Sequence, residues 1–249
     1  MELAEQQKLD FIKNGYVKIP GVVSQQKINV ALRAINHSIG LGMDSEMVPS
    51  FRADSYCPEL RNKPAITDLL FETPLIKVAE SLTRKDSLRL QGGGQIALRF
   101  PVMEKPGELH PHIDGMYSTR NQVRMGTIFT FTMLAGVFLS DVPNRFWGNF
   151  TAWPGTHRSF GNYFREHDTD CLHRGLLPKV KMPEPVQVLA KGGDAILAHY
   201  LTAHTVVVNV SPYIRYAVFF RLSDMNHSLH RNRVFSDIWL EWPGVKDLL

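Results

Sequence analysis

Apolar positions recur at helical spacing over the first third of the chain, and in short β-branched and aromatic runs beyond it. Residues 8–15 read as a short helix with Leu9, Phe11 and Ile12 on its apolar face and Gly15 as its terminator. Ser24 suits the N-cap of a second helix, along which Ile28, Leu32, Ile35 and Ile39 form a stripe. Thr73-Pro74 opens a third, with Leu75, Val78, Ala79 and Leu82 facing inward. The polar stretch 40–64 between these helices reads as an irregular loop over one mouth of the body. From residue 88 onward the pattern predicts strands at 88–90 and 95–100, separated by a turn at Gly92-Gly93-Gly94. Next comes a bent strand or two over 127–139, with Gly136 able to bend it. Further strands are expected at 149–153, 186–189, 194–198, 205–210 and 213–220, with turns at Gly192-Gly193-Asp194 and Ser211-Pro212. Short strands with glycine and proline turns, and no helices alternating with them, argue for an antiparallel sandwich or barrel rather than an α/β fold. The stretch 158–185 lacks clear periodicity, and a long structureless segment of this kind is usually a lid or a mobile element.

Composition narrows the function classes. The 249 residues suit one β-rich domain, and a 44% apolar share supplies a core. Lys and Arg number 28 against 24 Asp and Glu, a net charge of +4 spread without a basic run. That balance favours small anionic molecules and excludes a nucleic-acid footprint. Cys57 and Cys171 lie far apart and suggest no disulfide framework. The first ten residues are charged and polar, unlike a signal peptide, and no apolar run reaches the roughly 18 residues of a membrane span. The expected compartment is the cytoplasm.

Candidate chemistry centres on His112-Ile113-Asp114, with His204 opening a later apolar run and Arg215 beyond it. Two histidines and one carboxylate leave several positions of an Fe(II) open. In a strand, His112 and Asp114 point to one face and can grip one metal. Spacing alone leaves alternatives, because His110 shares that face and His199 precedes His204. Each residue also has an ordinary role: a turn cap for Asp114, a half-buried imidazole for His112, a satisfied core histidine for His204. Arg215 shares a face with Ala217 and Phe219, where burial would call for a carboxylate partner. Arg99 is a second carboxylate-binding candidate, unranked against Gln95 and Arg124.

Four segments together resemble the phytanoyl-CoA dioxygenase-like family of Fe(II)/2-oxoglutarate-dependent oxygenases. They are Phe11-Ile12-Lys13-Asn14-Gly15-Tyr16-Val17 with Ile19-Pro20-Gly21-Val22; His110-Pro111-His112-Ile113-Asp114; 148–158, ending Pro154-Gly155-Thr156-His157-Arg158; and Gly193-Asp194, His199, His204, Asn209, Ser211 and Arg215. The eleven residues from His204 to Arg215 match the family's usual interval. The resemblance implies a mainly β fold, a double-stranded β-helix (jelly-roll, cupin-like) core with flanking N-terminal α-helices. It assigns His112, Asp114 and His204 to the metal and Arg215 to the distal carboxylate of 2-oxoglutarate, with Arg99 secondary. It further implies Fe(II), 2-oxoglutarate and O₂ as cofactor and cosubstrates, and hydroxylation of a small organic substrate, an anionic one included, with release of succinate and CO₂. The intact Asp114 argues against the family's halogenases, which carry a small residue there. Val206 stands where the family often has Ser or Thr, and Gly136 where it often has a larger residue. The expected organisation is one domain over 1–249: a helical front end to about 85, a β core from about 86 to 222, and a C-terminal extension. The aromatic run 237–243 is equally suited to the core and to a partner, and the oligomeric state stays open. Trp153, Tyr163, Phe164 and Arg165 are expected to contact substrate or simply pack the loop. The rival readings are a non-redox, isomerase-type metal-binding cupin-like protein, which has no use for Arg215, and a non-catalytic binder of 2-oxoglutarate or another metabolite.

Overall fold

In the computed structural model, residues 2–119, 121 and 123–249 are described. The first apolar stripe forms helix α1 (Glu5–Asn14), with Phe11 fully buried, and Gly15 ends it at φ 78° by donating its N–H to Phe11 O. Strand β1 (Tyr16–Ile19) follows, then helix α2 (Gln25–Gly40), capped by Ser24 Oγ accepting from Lys27 N–H. The expected irregular stretch 40–64 is instead largely helical: a 3₁₀ turn at Ser45–Met47, helix α3 (Val48–Ala53) and a second turn at Pro58–Leu60. Prolines that look like loop punctuation sit in the first turns of these helices, where a missing N–H costs nothing. Helices α4 (Pro64–Phe71) and α5 (Leu75–Glu80) complete the front end, with Leu75, Val78, Ala79 and Leu82 buried as their spacing predicts.

Strand β2 (Leu88–Arg99) is one strand rather than two joined by a turn. Its glycines form a bulge, across which the pairing jumps from Gln91 to Gln95. Strand β3 (Met133–Phe138) covers only the second half of the expected 127–139 run. Strand β4 (Phe150–Ala152) leads into helices α6 (Thr156–Glu166) and α7 (Asp170–His173), so the 158–185 segment is not structureless. Helix α6 buries Thr156, His157, Phe160 and Phe164, and two polar residues on that stripe hide its period. Trp153 and Phe164 are core residues, while Arg165 donates to Ser236 O and Asn162 Oδ1. Strands β5 (Val186–Gln187), β6 (Ala195–His199), β7 (His204–Val206) and β8 (Arg215–Asp224) follow, then the short helix α8 (His227–His230).

The strands form two antiparallel sheets, β1-β6-β3-β8-β2 and β5-β4-β7. The larger sheet separates two apolar clusters. Val218, Phe220, Leu222 and Leu98 face the front-end helices, whereas Ala217, Phe219 and Ala97 face Phe150, Ala152 and α6. The C-terminal run packs on its own chain: Trp242 is 1% exposed and lies 4.9 Å from the Phe11 ring and 5.0 Å from His199. Both cysteines are free, and among the described residues no helix is long and apolar enough to cross a membrane.

Burial holds the His199 imidazole down at about 4, against the opposing bond to Ile238 O, and puts His157 well below its ordinary range. An unfolded chain protonates histidine near pH 6.5, so between about 6.5 and 4 it binds the extra proton and stability falls with pH. His199 alone is expected to cost about 3 kcal/mol across that window. Thermal unfolding against pH checks this. A His199→Gln variant with an undiminished slope would assign the acid sensitivity to other groups.

Candidate metal centre

His112 and His204 face each other across a single antiparallel bridge, each donating its N–H to the other's carbonyl at 2.9 Å. The bridge sets their ring centroids 4.6 Å apart. Asp114 is reached by a turn, not by the strand alternation its spacing suggests. Gly115 takes φ 82° and its carbonyl accepts from Phe129 N–H at 2.9 Å. A Cβ at Gly115 would run into the Phe129 carbonyl oxygen. The turn therefore demands glycine on two counts, conformation and space. Gly115→Ala is expected to destabilise the protein by about 1–3 kcal/mol and to weaken metal binding by displacing Asp114. Paired thermal unfolding and metal titration check this. A variant matching the wild type in both would mean that the turn relaxes without cost.

The ligand atoms of His112, Asp114 and His204 lie within 4.8 Å of one another. Each imidazole Nε2 is 3.6 Å from the same carboxylate oxygen, Asp114 Oδ1. His204 Nδ1 donates to Thr202 O at 2.9 Å, which leaves the Nε2 lone pair facing Asp114. Its ring stacks on Phe150 at 5.2 Å. Asp114 Oδ2 accepts from Arg221 Nη2 at 2.8 Å. Burial by itself would raise the Asp114 carboxyl, but the Arg221 charge and the two imidazoles outweigh it and hold the group well below the usual range. Burial pushes the His112 imidazole down despite the neighbouring carboxylate. Neutral imidazoles and an ionised carboxylate are the ligand forms that a divalent cation requires.

Arg215 lies on the same face of β8 as Ala217, Phe219 and Arg221 and is 3% exposed. Nη1 donates to Ala97 O at 2.9 Å, while Nε and Nη2 have no partner among the described residues. Arg99 is its cross-strand partner, and among the described residues neither guanidinium forms an ion pair. Burial, then the Arg99 charge, pushes Arg215 well below its ordinary range; burial, then Arg52, brings Arg99 down to about 10. Gly148, at φ 73°, makes room beside both, since a Cβ there would stand 3.0 Å from Arg99 Cβ and 3.2 Å from Arg215 Nε. A buried cation with two unpartnered donors, beside a half-buried second cation whose Nη1 donates to Leu98 O, fits an anion.

The remaining motif residues sort into scaffolding. His110 is exposed and outside the cluster. His199 Nε2 donates to Ile238 O, its Nδ1 accepts from Leu201 N–H, and the ring stacks on Trp242. Asp194 accepts from Gly21 and Lys191 N–H, tying β1 to the turn before β6. Asn209 donates to Arg99 O and Tyr213 O, and Ser211 bonds to Asn209. Arg124 is exposed, and Gln95 accepts from Arg221. The site residue missed from sequence is Arg221; its signal was the period of two shared with Arg215, Ala217 and Phe219.

No protein-family model and no curated protein sequence matches the chain. Solved structures do share its fold. The non-heme alpha-ketoglutarate-dependent carbocyclase SnoK from nogalamycin biosynthesis matches at a TM-score of 0.59 and 20% identity, over 92% of this chain and 90% of its own. HygX from Streptomyces hygroscopicus, with nickel and 2-oxoglutarate bound, gives 0.59 and 18% over 90% and 88%. The non-heme monooxygenase ThoJ gives 0.56 and 18% over 88% and 79%. The chain thus shares the fold of these proteins, antiparallel sheets with flanking helices.

Proposed function

We propose that this protein is an Fe(II)/2-oxoglutarate-dependent dioxygenase that hydroxylates a small organic substrate. The observation that carries the reading is the pairing, along one face of β8, of a two-histidine, one-carboxylate cluster held by Arg221 with a buried arginine whose Nε and Nη2 lack partners among the described residues. His112, Asp114 and His204 would hold the metal, a ligand set that leaves positions for cosubstrate. Arg215, with Arg99 beside it, neutralises the distal carboxylate of 2-oxoglutarate. Phe150, Ala217 and Phe219 form the apolar packing on that face of the sheet. Bound there, iron with 2-oxoglutarate and O₂ supplies an oxidant able to break an unactivated C–H bond. The two sheets are read as halves of a double-stranded β-helix, within one domain spanning 1–249. HygX, of like fold, binds 2-oxoglutarate with nickel, which supports the same cosubstrate here.

We assign the substrate to the cavity of about 410 Å³ lined by Arg89, Gln91, Phe129, Thr130, Ser223 and Asp224, where Gln91 is the cross-strand partner of Arg221 and Phe129 holds the Gly115 turn. Ser223 and Asp224 are buried there, with Oγ and Oδ2 lacking partners among the described residues. The test is an anaerobic titration with Fe(II) and then 2-oxoglutarate. The expected result is a weak charge-transfer band near roughly 500 nm, given by chelated cosubstrate on facial-triad iron. A protein that retains zinc and gives no band would instead be a non-redox metal protein.

A further inference from the structure

We propose that Arg221 is a positioning residue that makes Asp114 a one-oxygen metal ligand. The carboxylate is divided between two partners. Oδ1 faces both imidazoles at 3.6 Å, while Oδ2 is held by Arg221 Nη2 at 2.8 Å. A carboxylate with both oxygens free can chelate an ion and take a further coordination position. With Oδ2 engaged, Asp114 would offer one oxygen to a bound divalent ion and leave more of its positions open to other ligands. That opening accommodates a two-oxygen cosubstrate and O₂ only on the oxygenase reading; the effect on the metal itself holds without it.

Arg221 is oriented in turn by Gln95, whose Oε1 accepts from Nη2 at 3.0 Å. Gln95 reaches that place through the glycine bulge. Arg221 pairs with Gln91 and Phe219 with Gln95, so Gly92, Gly93 and Gly94 all stand opposite Phe220. Two residues more than regular pairing allows are thus taken up, and Gln95 returns to the face that carries Arg221. The bulge admits little besides glycine. Gly93 sits at φ 82°, and a Cβ at Gly94 would stand 2.5 Å from the Ile66 side chain and 2.9 Å from Phe220. The three glycines, which no other part of the site explains, thus build the support for the support.

The test compares full-length wild type, Arg221→Gln, Arg221→Lys and Gln95→Leu in anaerobic Fe(II) titrations, with and without 2-oxoglutarate. Thermal unfolding verifies that each variant folds. Arg221→Gln is expected to weaken Fe(II) binding about 10–100-fold, as loss of an outer partner of a metal ligand does. At saturating iron it is also expected to need more 2-oxoglutarate to develop the charge-transfer band. Arg221→Lys, which keeps the charge but not the fork, should fall between, and Gln95→Leu should shift both readouts the same way by less. Unchanged affinity and band in a folded Arg221→Gln overturn the inference, as does tighter iron binding, which would make Arg221 a competitor for Asp114. If Arg221→Gln does not fold, Arg221→Lys and Gln95→Leu decide on the same two readouts. Absence of the band in wild type sinks the oxygenase reading alone, and the iron affinities still judge Arg221.

Discussion

Replacing His204 with alanine is expected to abolish iron binding and the 2-oxoglutarate band together while sparing the fold. The ligand bridge is made by backbone groups of residues 112 and 204, so truncating the side chain leaves both of its hydrogen bonds in place. What is lost is one donor of three and a ring stacked on Phe150 at 5.2 Å. Iron affinity should fall by more than the ~100-fold at the upper end for an outer-sphere partner. Succinate release should fall with it. Equilibrium dialysis against Fe(II), with circular dichroism for the fold, makes the measurement. A variant that kept iron within about tenfold of wild type would point to another ligand set, with His110 the first to examine.

Arg215→Met is expected to act in opposite directions on stability and on cosubstrate. Arg215 is 3% exposed, has Arg99 across the strand pair, and uses only Nη1 in a hydrogen bond. A buried cation in that setting opposes folding, and an apolar side chain of similar length relieves the penalty. Without 2-oxoglutarate the variant should be more stable by about 1–4 kcal/mol, the range seen when buried charges give way to packed apolar groups. Its 2-oxoglutarate affinity should drop by about 2–5 kcal/mol, the cost of removing one partner of a buried charge pair. Adding 2-oxoglutarate should raise the unfolding temperature of wild type and leave that of the variant unmoved. A variant less stable than wild type in the absence of ligand would make Arg215 a structural residue held by Ala97 O.

The parts that sequence exposes are those with strong local chemistry. Helices α1, α2 and α5 carry their own terminators or caps, and their stripes are apolar throughout, so their positions are legible. Helix α6 is not, because Thr156 and His157 occupy its buried side. His112, Asp114 and His204 do cluster in space, but the premise of a continuous strand through His112 and Asp114 does not hold: His112 is a lone bridge position and Asp114 begins a turn. Convergence depends on Phe129 meeting Gly115, a contact made fourteen residues away that spacing does not encode. The glycine run reads as a turn because three adjacent glycines are the common mark of one. Only pairing with β8 turns it into a bulge. The motif Gly193-Asp194, His199, His204, Asn209, Ser211, Arg215 reads as one functional signature. In space it divides into one member of the histidine–carboxylate cluster, one buried arginine with unpartnered donors and five residues that brace turns and strand ends.

Strand β8 alternates two sets of residues that cannot trade places. Arg215, Ala217, Phe219 and Arg221 lie on the face turned to Phe150 and Asp114, and Val218, Phe220 and Leu222 face the helices. A pairing slipped by one residue would exchange every member of both sets. It would drive two guanidinium groups into the helix-covered core and, in a single error, part Arg221 from Asp114 and Arg215 from Ala97 O. On the proposed function, chains folded out of register would lose metal support and cosubstrate anchor together, because one strand serves as the common ruler for both ends of the site.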